Sequence, residues 1–210
     1  MNAALAGLVI LVIGDSQMKG LIYSLHDQLE DYGAAVHSYS MCGATAQDWL
    51  VRSTVSCGRG EHHERGPVVM NEQRLPTFEL SDLIEKNHPN LIVVELGERL
   101  EPDHSWVRQE VHTLTGKIAA NHLPCVWVGP IWGQEKPPYA TTDAGIRQIS
   151  QLLSESVSPC SYIDSTTFAR PGELQTSDGT HLLPDGYRRW GRAIAESIVR
   201  LKGQGTLVSR

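Results

Sequence analysis

The sequence predicts an α/β fold with a parallel β-sheet, because apolar runs of strand length alternate with longer segments of helical periodicity. The strand-length runs lie at residues 8–13, 35–39, 91–96, 125–128 and 162–163. Apolar residues recur at helical spacing over residues 18–32, 78–87, 106–121, 142–157 and 184–201. A chain of 210 residues fits one domain of ordinary size. We therefore expect residues 1–210 to form a single α/β/α sandwich with a five-strand parallel sheet.

The first half of the chain opens with the strongest strand signal, an unbroken apolar run that ends at Gly14. Leu21, Leu25 and Leu29 then recur on one helix face, and a short apolar run over residues 35–39 predicts the second strand. Residues 52–76 contain three glycines and two prolines and show neither periodicity. We expect a long loop there, and loops of this length are typically functional or mobile.

The second half repeats the alternation of helix and strand. Leu80 and Leu83 predict a helix before the third strand. The runs over 91–96, interrupted only by Glu95, and over 125–128 are apolar, as in strands buried on both faces. The last strand is short, and the last helix opens at Pro184, a residue that suits the first helical turn.

The charge and hydropathy pattern excludes two classes of partner. The chain has 18 basic and 24 acidic residues, a net charge of −6, and shows no basic face for nucleic acid. No segment approaches the ~18 apolar residues that span a bilayer. The apolar residues 3–13 lack a basic leader and a small-residue cleavage site, so we interpret them as a strand. We expect a soluble chain, mature or shortened, with no nucleic-acid partner.

Four cysteines predict two local disulfides. Cys42 and Cys57 flank a short excursion after the second strand, and Cys125 and Cys160 stand at the starts of two neighbouring strands. Closing the ~15-residue loop of the first pair would contribute roughly 3 kcal/mol on a chain-entropy estimate. The alternative is four buried free thiols, because spacing alone does not fix connectivity. Oxidised pairs would imply a periplasmic or secreted protein.

Two short motifs at opposite ends of the chain carry the chemistry. Gly14-Asp15-Ser16 follows the first buried strand and presents a hydroxyl where that strand breaks into a turn. Asp178 and His181 lie three positions apart in a turn before the last helix. A serine attacks an acyl carbon when a base accepts its proton and a carboxylate orients that base. Each motif alone is equally well explained as a structural turn, but their joint occurrence beside strand ends favours catalysis.

These residues resemble the SGNH hydrolases, also called the GDSL family of esterases and lipases. Gly14-Asp15-Ser16 with Gly20 matches the first sequence block of that family, Gly43 looks like the glycine of the second, and Asp178 with His181 matches the fifth. The resemblance spans nearly the whole chain and implies a flavodoxin-like three-layer α/β/α fold. It also implies that Ser16 is the nucleophile, His181 the base and Asp178 its partner. The backbone amides of Ser16 and Gly43 would then be oxyanion donors.

The third block departs from the family pattern. The family has Gly-x-Asn-Asp after the third strand, whereas here Gly97 is followed by Glu98, Arg99 and Leu100. Arg99 takes the place of the asparagine that completes the oxyanion hole, and losing such a donor typically costs ~10²- to 10³-fold in turnover. Arg99 could supply a charged donor, bind an anionic substrate, or mark an inactive or specialised member. We favour a retained enzyme with an altered oxyanion hole.

Candidate substrate contacts lie beside the nucleophile and after the fourth strand. Asp15 and Gln17 flank Ser16, and Trp132 is the preferred of three aromatic residues, with Trp106 and Tyr139, that could stack on sugar rings. The alternative for each aromatic is a cap on the core.

No cofactor or metal is expected. The adjacent histidines 62 and 63 point apart along a chain, and no second ligand pair has zinc-like spacing.

Together these features predict a serine esterase that removes O-acetyl or other short acyl groups through an acyl-serine. Within the resembled family, export and sugar-stacking aromatics suggest an extracellular or periplasmic polysaccharide as substrate, and a polysaccharide-synthesis or export complex as partner. Three alternatives remain open. They are a polysaccharide O-acetyltransferase with the same triad, a lysophospholipase or thioesterase, and a catalytically impaired carbohydrate-binding homologue.

Overall fold

The computed structural model describes residues 3–97 and 105–207. The described strands are β1 (Val9–Gly14), β2 (Ala35–Met41), β3 (Thr54–Val55), β4 (Arg59–His63), β5 (Val69–Asn71), β6 (Leu75–Pro76), β7 (Leu91–Glu95), β8 (Cys125–Val128) and β9 (Ser161–Ile163). The described helices are α1 (Ser16–Asp31), α2 (Leu80–Asn87), α3 (Ser105–Ala120), α4 (Asp143–Ser156) and α5 (Pro184–Gly203), with short 3₁₀ helices η1 (Ala46–Trp49) and η2 (Ser165–Thr167).

The central sheet has the strand order β5-β4-β2-β1-β7-β8-β9. The five strands from β2 to β9 in this order pair in parallel, which confirms the predicted α/β class and the predicted parallel strands. The expectation of a purely five-stranded sheet is wrong, because β4 pairs antiparallel with β2 and β5 antiparallel with β4. A separate pair, β3 and β6, lies within the same stretch of chain, residues 52–76, for which we expected a loop.

The extra strands were not recognisable because their buried positions are not apolar. In β4 the buried residues are Gly60 and His62, so the sequence shows no hydrophobic alternation. A Cβ at position 60 would lie 2.3 Å from the sulfur of Met70 on β5. The ring of His62 stacks on that of His26 in α1, with 3.6 Å between centroids. The side chain of Met70, beside Gly60, and the ring of His62 therefore fill the space that aliphatic side chains of the strand itself fill elsewhere in the sheet.

The sheet lies between two layers of helices. Leu11 and Ile13 of β1 point into one apolar cluster, which also contains the buried faces of α2, α3 and α4. Ile10 and Val12 point to the opposite cluster, which contains α1 and α5. This alternation is the pleat of a strand buried on both faces. The result is the three-layer α/β/α arrangement that the sequence predicted.

The parallel strands bring their carboxyl ends to one edge of the sheet. Gly14 at the end of β1 lies between Ser40 of β2 and Glu95 of β7, and Glu95 pairs with Val128 at the end of β8. In open α/β sheets the crevice beyond these ends is where ligands bind. The loops that leave this edge therefore define the region of the candidate site.

Both cysteine pairs are bonded, Cys42 to Cys57 and Cys125 to Cys160, which confirms the predicted pairing. Among the described segments, none of the helices combines the length and the apolar character needed to cross a bilayer.

Candidate active site

The turn after β1 presents Ser16 at the first residue of α1. Gly14 is required here, because a Cβ at this position would lie 2.6 Å from the carbonyl oxygen of Glu95. Asp15 is the N-cap of α1, and its side chain accepts a hydrogen bond from the Gln17 N–H at 2.9 Å. The cap fixes where the helix begins. The hydroxyl of Ser16 therefore stands at the positive end of the helix dipole.

The turn before α5 presents Asp178 and His181 together. The carboxylate Oδ1 of Asp178 accepts hydrogen bonds from the backbone N–H groups of Thr180 at 3.1 Å and His181 at 2.8 Å. Gly179 adopts a φ of +98°, and a Cβ there would lie 2.3 Å from the carbonyl oxygen of Lys136. Only glycine fits this conformation and this close approach. The carboxylate thus organises the backbone of the turn as well as contacting the imidazole.

The structure brings Ser16, His181 and Asp178 into one hydrogen-bonded row. The Nε2 atom of His181 lies 2.9 Å from the Oγ of Ser16, and its Nδ1 atom lies 2.7 Å from Oδ2 of Asp178. Both are hydrogen-bond distances, and the first joins residues that lie 165 positions apart in the chain. The contacts are those of a nucleophile, a base and the carboxylate that orients the base.

The electrostatics of the row keep the carboxylate charged. Burial raises the pKa of the Asp178 carboxyl, but hydrogen bonds from the backbone and ring of His181 and from the Thr180 N–H outweigh it. The pKa of Asp178 is therefore held below its ordinary value. A charged carboxylate at this position stabilises a positive imidazole during proton transfer.

Gly43 lies in the same cleft as Ser16 and His181. It adopts a φ of +70° in a turn closed by the hydrogen bond from the Ala44 N–H to the Met41 carbonyl at 3.1 Å. Within residues 3–97 and 105–207, the N–H of Gly43 donates no hydrogen bond. The neighbouring Cys42–Cys57 disulfide also lines the cleft and ties this turn to the segment before β4. An amide left available beside the nucleophile suits an oxyanion donor. Arg99, predicted to contribute to the oxyanion hole together with the amides of Ser16 and Gly43, lies outside the described residues.

The three residues expected to contact substrate have internal roles instead, and none of them lines the cleft of the serine and the imidazole. Asp15 is buried as the N-cap of α1. Gln17, in the first turn of α1, is buried against the turn that carries His181. Trp132 is only 5% exposed, and its indole N–H donates to the carbonyls of Thr166 and Ala169. A buried indole needs such acceptors, so the expected sugar stacking by Trp132 is wrong.

The cleft itself is open and has a volume of about 860 Å³. Its floor carries Ser16, Gly43 and His181, and much of its wall comes from residues 138–142 after β8. Tyr139 is the prominent aromatic residue there and is 58% exposed.

Sequence reasoning missed a clamp that joins the two turns. The side-chain N–H of Gln17 donates to the carbonyl of Thr180 at 2.9 Å, and its Oε1 accepts from the Tyr187 hydroxyl at 2.5 Å. The ring of Tyr187 fits because Gly20 has no side chain, since a Cβ there would lie 2.3 Å from that ring. The only sequence signal was an amide on a buried helix face, followed by a glycine inside the helix.

A metal site is not evident among the residues that the structure describes, where no three histidine, cysteine or acidic side chains converge. Both ring nitrogens of His62 instead lie against carbonyl oxygens, those of Ile22 at 3.1 Å and Gly66 at 2.9 Å.

Comparisons with known proteins give the family and the fold that the chain shares. The chain is 38% identical to Protein BcsX of Komagataeibacter xylinus over an alignment that covers 95% of this chain and 79% of that protein. A crystal structure from the lipolytic G-D-S-L family of Veillonella parvula superposes with a TM-score of 0.58 at 13% identity, over 92% of this chain and 99% of the other.

A structure of a peptidoglycan O-acetylesterase superposes with a TM-score of 0.58 at 9% identity, over 96% of this chain and 94% of the other. No protein-family model matches the sequence. With 38% identity to Protein BcsX over 95% of its length, the chain belongs to the BcsX family, and its fold is the one seen in structures of SGNH, or GDSL, hydrolases.

Proposed function

We propose that the protein is a serine esterase that removes O-acetyl or other short acyl groups from an extracellular or periplasmic polysaccharide. The observation that carries the proposal is the row of contacts from Ser16 through His181 to Asp178, at 2.9 and 2.7 Å, on the floor of an open cleft.

The first half-reaction follows from these contacts. The Oγ of Ser16 attacks the carbonyl carbon of the ester while Nε2 of His181 takes the hydroxyl proton. Negative charge develops on the carbonyl oxygen, where the amides of Ser16 and Gly43 would stabilise it. The bond to the alcohol then breaks, and the imidazolium donates its proton to the departing oxygen. The products are an alcohol and an acyl-serine.

The second half-reaction returns the enzyme to its starting state. Water gives a proton to Nε2 of His181 and attacks the acyl-serine, and the imidazolium returns that proton to Oγ of Ser16 as the acid leaves. Asp178 stays ionised throughout, and its charge stabilises the imidazolium in both steps.

The shape of the cleft supports an ester substrate with a large alcohol half and a short acyl half. The cleft is broad and open to solvent, and many of its lining residues are small or polar, among them Gly43, Ala140, Thr141 and Thr142, beside the apolar Pro138, Tyr139 and Ile149. Long acyl chains need an enclosed apolar channel, whereas a polymer needs an open groove. The fold shared with a peptidoglycan O-acetylesterase supports the same class of reaction.

A sugar hydroxyl, in place of water, is the alternative acceptor of the acyl group. The open cleft with its exposed Tyr139 supports this second candidate. Attack by that hydroxyl on the acyl-serine would make the protein a polysaccharide O-acetyltransferase. The two activities share the first half-reaction and differ only in the second.

The two disulfides support an exported protein, because such bonds persist in oxidising compartments. In that compartment the substrate would be a polysaccharide, and a polysaccharide-synthesis or export complex would be the partner.

The test compares acetate release with labelling of the nucleophile. Purified protein is incubated with 4-nitrophenyl acetate, 4-nitrophenyl octanoate and an O-acetylated xylo-oligosaccharide, with and without a fluorophosphonate. We expect faster turnover of the acetyl esters, loss of turnover with the inhibitor, and a mass addition at Ser16. Ser16→Ala should abolish both, whereas Ser154→Ala, at an exposed position on α4, should leave both unchanged.

Further outcomes separate the alternatives. Preference for the octanoyl ester would favour a lysophospholipase or thioesterase. Acetyl transfer to an added oligosaccharide in preference to water would identify the transferase. Absence of both turnover and adduct would overturn the proposal and leave a carbohydrate-binding homologue.

A further inference from the structure

Tyr139 is an exposed aromatic side chain beside the catalytic imidazole. It is 58% exposed, lines the cleft, and meets the His181 ring edge to face at 6.2 Å between centroids. The other large apolar side chains that the described structure exposes lie outside this cleft. They are Tyr23, Val51, Val69, Trp106 and Leu183.

The backbone of Tyr139 is fixed to the turn that carries the base. Its N–H donates to the carbonyl of Asp178 at 3.1 Å, and its carbonyl accepts from the hydroxyl of Thr141 at 2.9 Å. The hydroxyls of Thr141 and Thr180 are themselves 2.7 Å apart. An exposed ring on an anchored backbone loses little conformational freedom when it binds a ligand.

The position of the Tyr139 ring beside His181 also indicates which half of an ester substrate the ring would contact. The imidazole donates its proton to the departing alcohol, so the alcohol half must lie against Nε2 when the bond breaks. The carbonyl oxygen instead points to the oxyanion donors, which the site provides at Ser16 and Gly43. The Tyr139 ring contacts the imidazole and lines the same cleft as Ser16, so it lies near the position of the departing alcohol.

The chemistry of a tyrosine ring narrows the class of alcohol. Its face offers a flat apolar surface and its hydroxyl offers a hydrogen-bond donor and acceptor. A pyranose ring combines a flat face of C–H groups with hydroxyls around its rim, which matches both features. A glycerophosphate has a charged group and no flat face, so it matches neither.

We propose that Tyr139 forms a sugar subsite, in which its ring stacks on the pyranose that carries the acyl group. The subsite gives the enzyme its preference for acylated carbohydrate over simple esters. This inference rests on the proposed function, since it assigns the alcohol half of the substrate of the same site.

The experiment compares two acetyl esters that differ in the alcohol. Acetate release from an O-acetylated xylo-oligosaccharide and from ethyl acetate, which has no ring, is measured for wild type, Tyr139→Ala and Tyr139→Phe. We expect Tyr139→Ala to lower the ratio of the two kcat/KM values roughly tenfold, mainly through the KM for the oligosaccharide. Tyr139→Phe retains the ring and should retain most of the ratio. Tyr23→Ala, which removes a 53% exposed tyrosine of α1 outside the cleft, should leave the ratio unchanged.

A binding measurement separates this inference from the proposed function. The Kd of the acetylated oligosaccharide is measured by calorimetry for Ser16→Ala and for the double variant Ser16→Ala with Tyr139→Ala. This measurement does not require that the substrate be turned over. A higher Kd in the double variant supports the subsite even if wild type releases no acetate. Equal Kd values, or an equal loss of kcat/KM on both esters, would overturn it.

Discussion

The side chain of Gln17 is hydrogen-bonded to the carbonyl of Thr180 at 2.9 Å, so the residue after the proposed nucleophile holds the residue before the proposed base. The hydroxyl of Tyr187 donates to the other end of the same amide. The distance between Ser16 and His181 therefore depends on a buried contact that takes no part in the chemistry.

Replacing the side-chain amide of Gln17 should make the position of His181 relative to Ser16 less well defined. We expect Gln17→Leu to lower kcat about tenfold or more with a small change in KM, because a misplacement near 1 Å can cost ~10²-fold. It should also cost roughly 1–3 kcal/mol of stability, since it leaves the Thr180 carbonyl and the Tyr187 hydroxyl without this partner. Tyr187→Phe, which keeps the contact with Thr180, is the matched control and should lower kcat less. Steady-state kinetics and thermal melts measure both effects, and equal kcat values for wild type and Gln17→Leu would contradict the alignment role.

The disulfide at the cleft should affect catalysis as well as stability. Cys42 precedes Gly43, and its bond to Cys57 restrains the turn whose amide would face the oxyanion. We expect the double change Cys42→Ser and Cys57→Ser to lower kcat, within the ~10²- to 10³-fold that loss of one oxyanion donor costs. Closing a 15-residue loop contributes about 3 kcal/mol, so the melting temperature should fall too.

The second disulfide supplies the control for that experiment. Cys125 is the first residue of β8 and Cys160 precedes β9, so this bond lies at the amino ends of the strands, opposite the site. The double change Cys125→Ser and Cys160→Ser should cost about 4 kcal/mol on the same loop estimate and leave kcat near the wild-type value. If both pairs lower kcat equally at a temperature where both variants are folded, the cleft disulfide has no special role.

His26 should make the stability of the fold depend on pH. The pKa of His26 is lowered to about 4, mainly by burial. The neighbouring rings of His62, His37 and His63 also lower it, whereas a hydrogen bond with the Glu64 carbonyl raises it in part. Between that pKa and the ordinary value of about 6.5, the unfolded chain binds a proton that the folded chain does not. Stability from this residue is complete above pH 6.5, and it is lost as the pH falls towards 4, by up to about 3 kcal/mol.

Urea unfolding at a series of pH values tests this dependence. His26→Gln should flatten the fall in unfolding free energy between pH 6.5 and 4, although the contact of the His26 ring with Glu30 at 3.6 Å offsets part of the wild-type loss. His112→Gln, at an exposed position on α3, should keep the wild-type slope. A slope that His26→Gln leaves unchanged would assign the pH dependence to other groups.

Arg99 remains a prediction from the sequence, because it lies outside the described residues. If its guanidinium replaces the asparagine amide of the family, Arg99→Ala should lower turnover of an acetyl ester by roughly 10²- to 10³-fold. Arg99→Asn would restore the family residue and should recover turnover or change substrate preference. Unchanged turnover and preference in Arg99→Asn would show that this position does not contribute to the oxyanion hole.

The parallel part of the sheet could be predicted from the sequence because strands buried on both faces are continuously apolar. The run that ends at Gly14 shows this best, since its side chains fill both core clusters. The row of Ser16, His181 and Asp178 could be predicted from chemistry, because a serine nucleophile needs a base and a carboxylate that orients the base. The predicted start of α1 is two residues late, because the helix begins directly after its N-cap and not at its first apolar residue.

The rest could not be predicted because it depends on contacts between distant parts of the chain. The buried face of β4 is a glycine and a histidine, so no local pattern reveals it. Trp132 follows a strand, as a cleft residue would, but two carbonyls more than 30 residues away hold its indole inside the core. The backbone N–H of Tyr139 is hydrogen-bonded to the carbonyl of Asp178, a contact with a distant turn that sequence spacing does not show.

The bond between Cys125 and Cys160 has a consequence for proteolysis. It encloses residues 126–159, which include the cleft wall with Tyr139 and all of α4. A protease that cuts the exposed chain near Tyr139 would therefore yield two fragments that stay covalently joined. On a denaturing gel the nicked molecule would run near its full mass until a reductant separates the pieces.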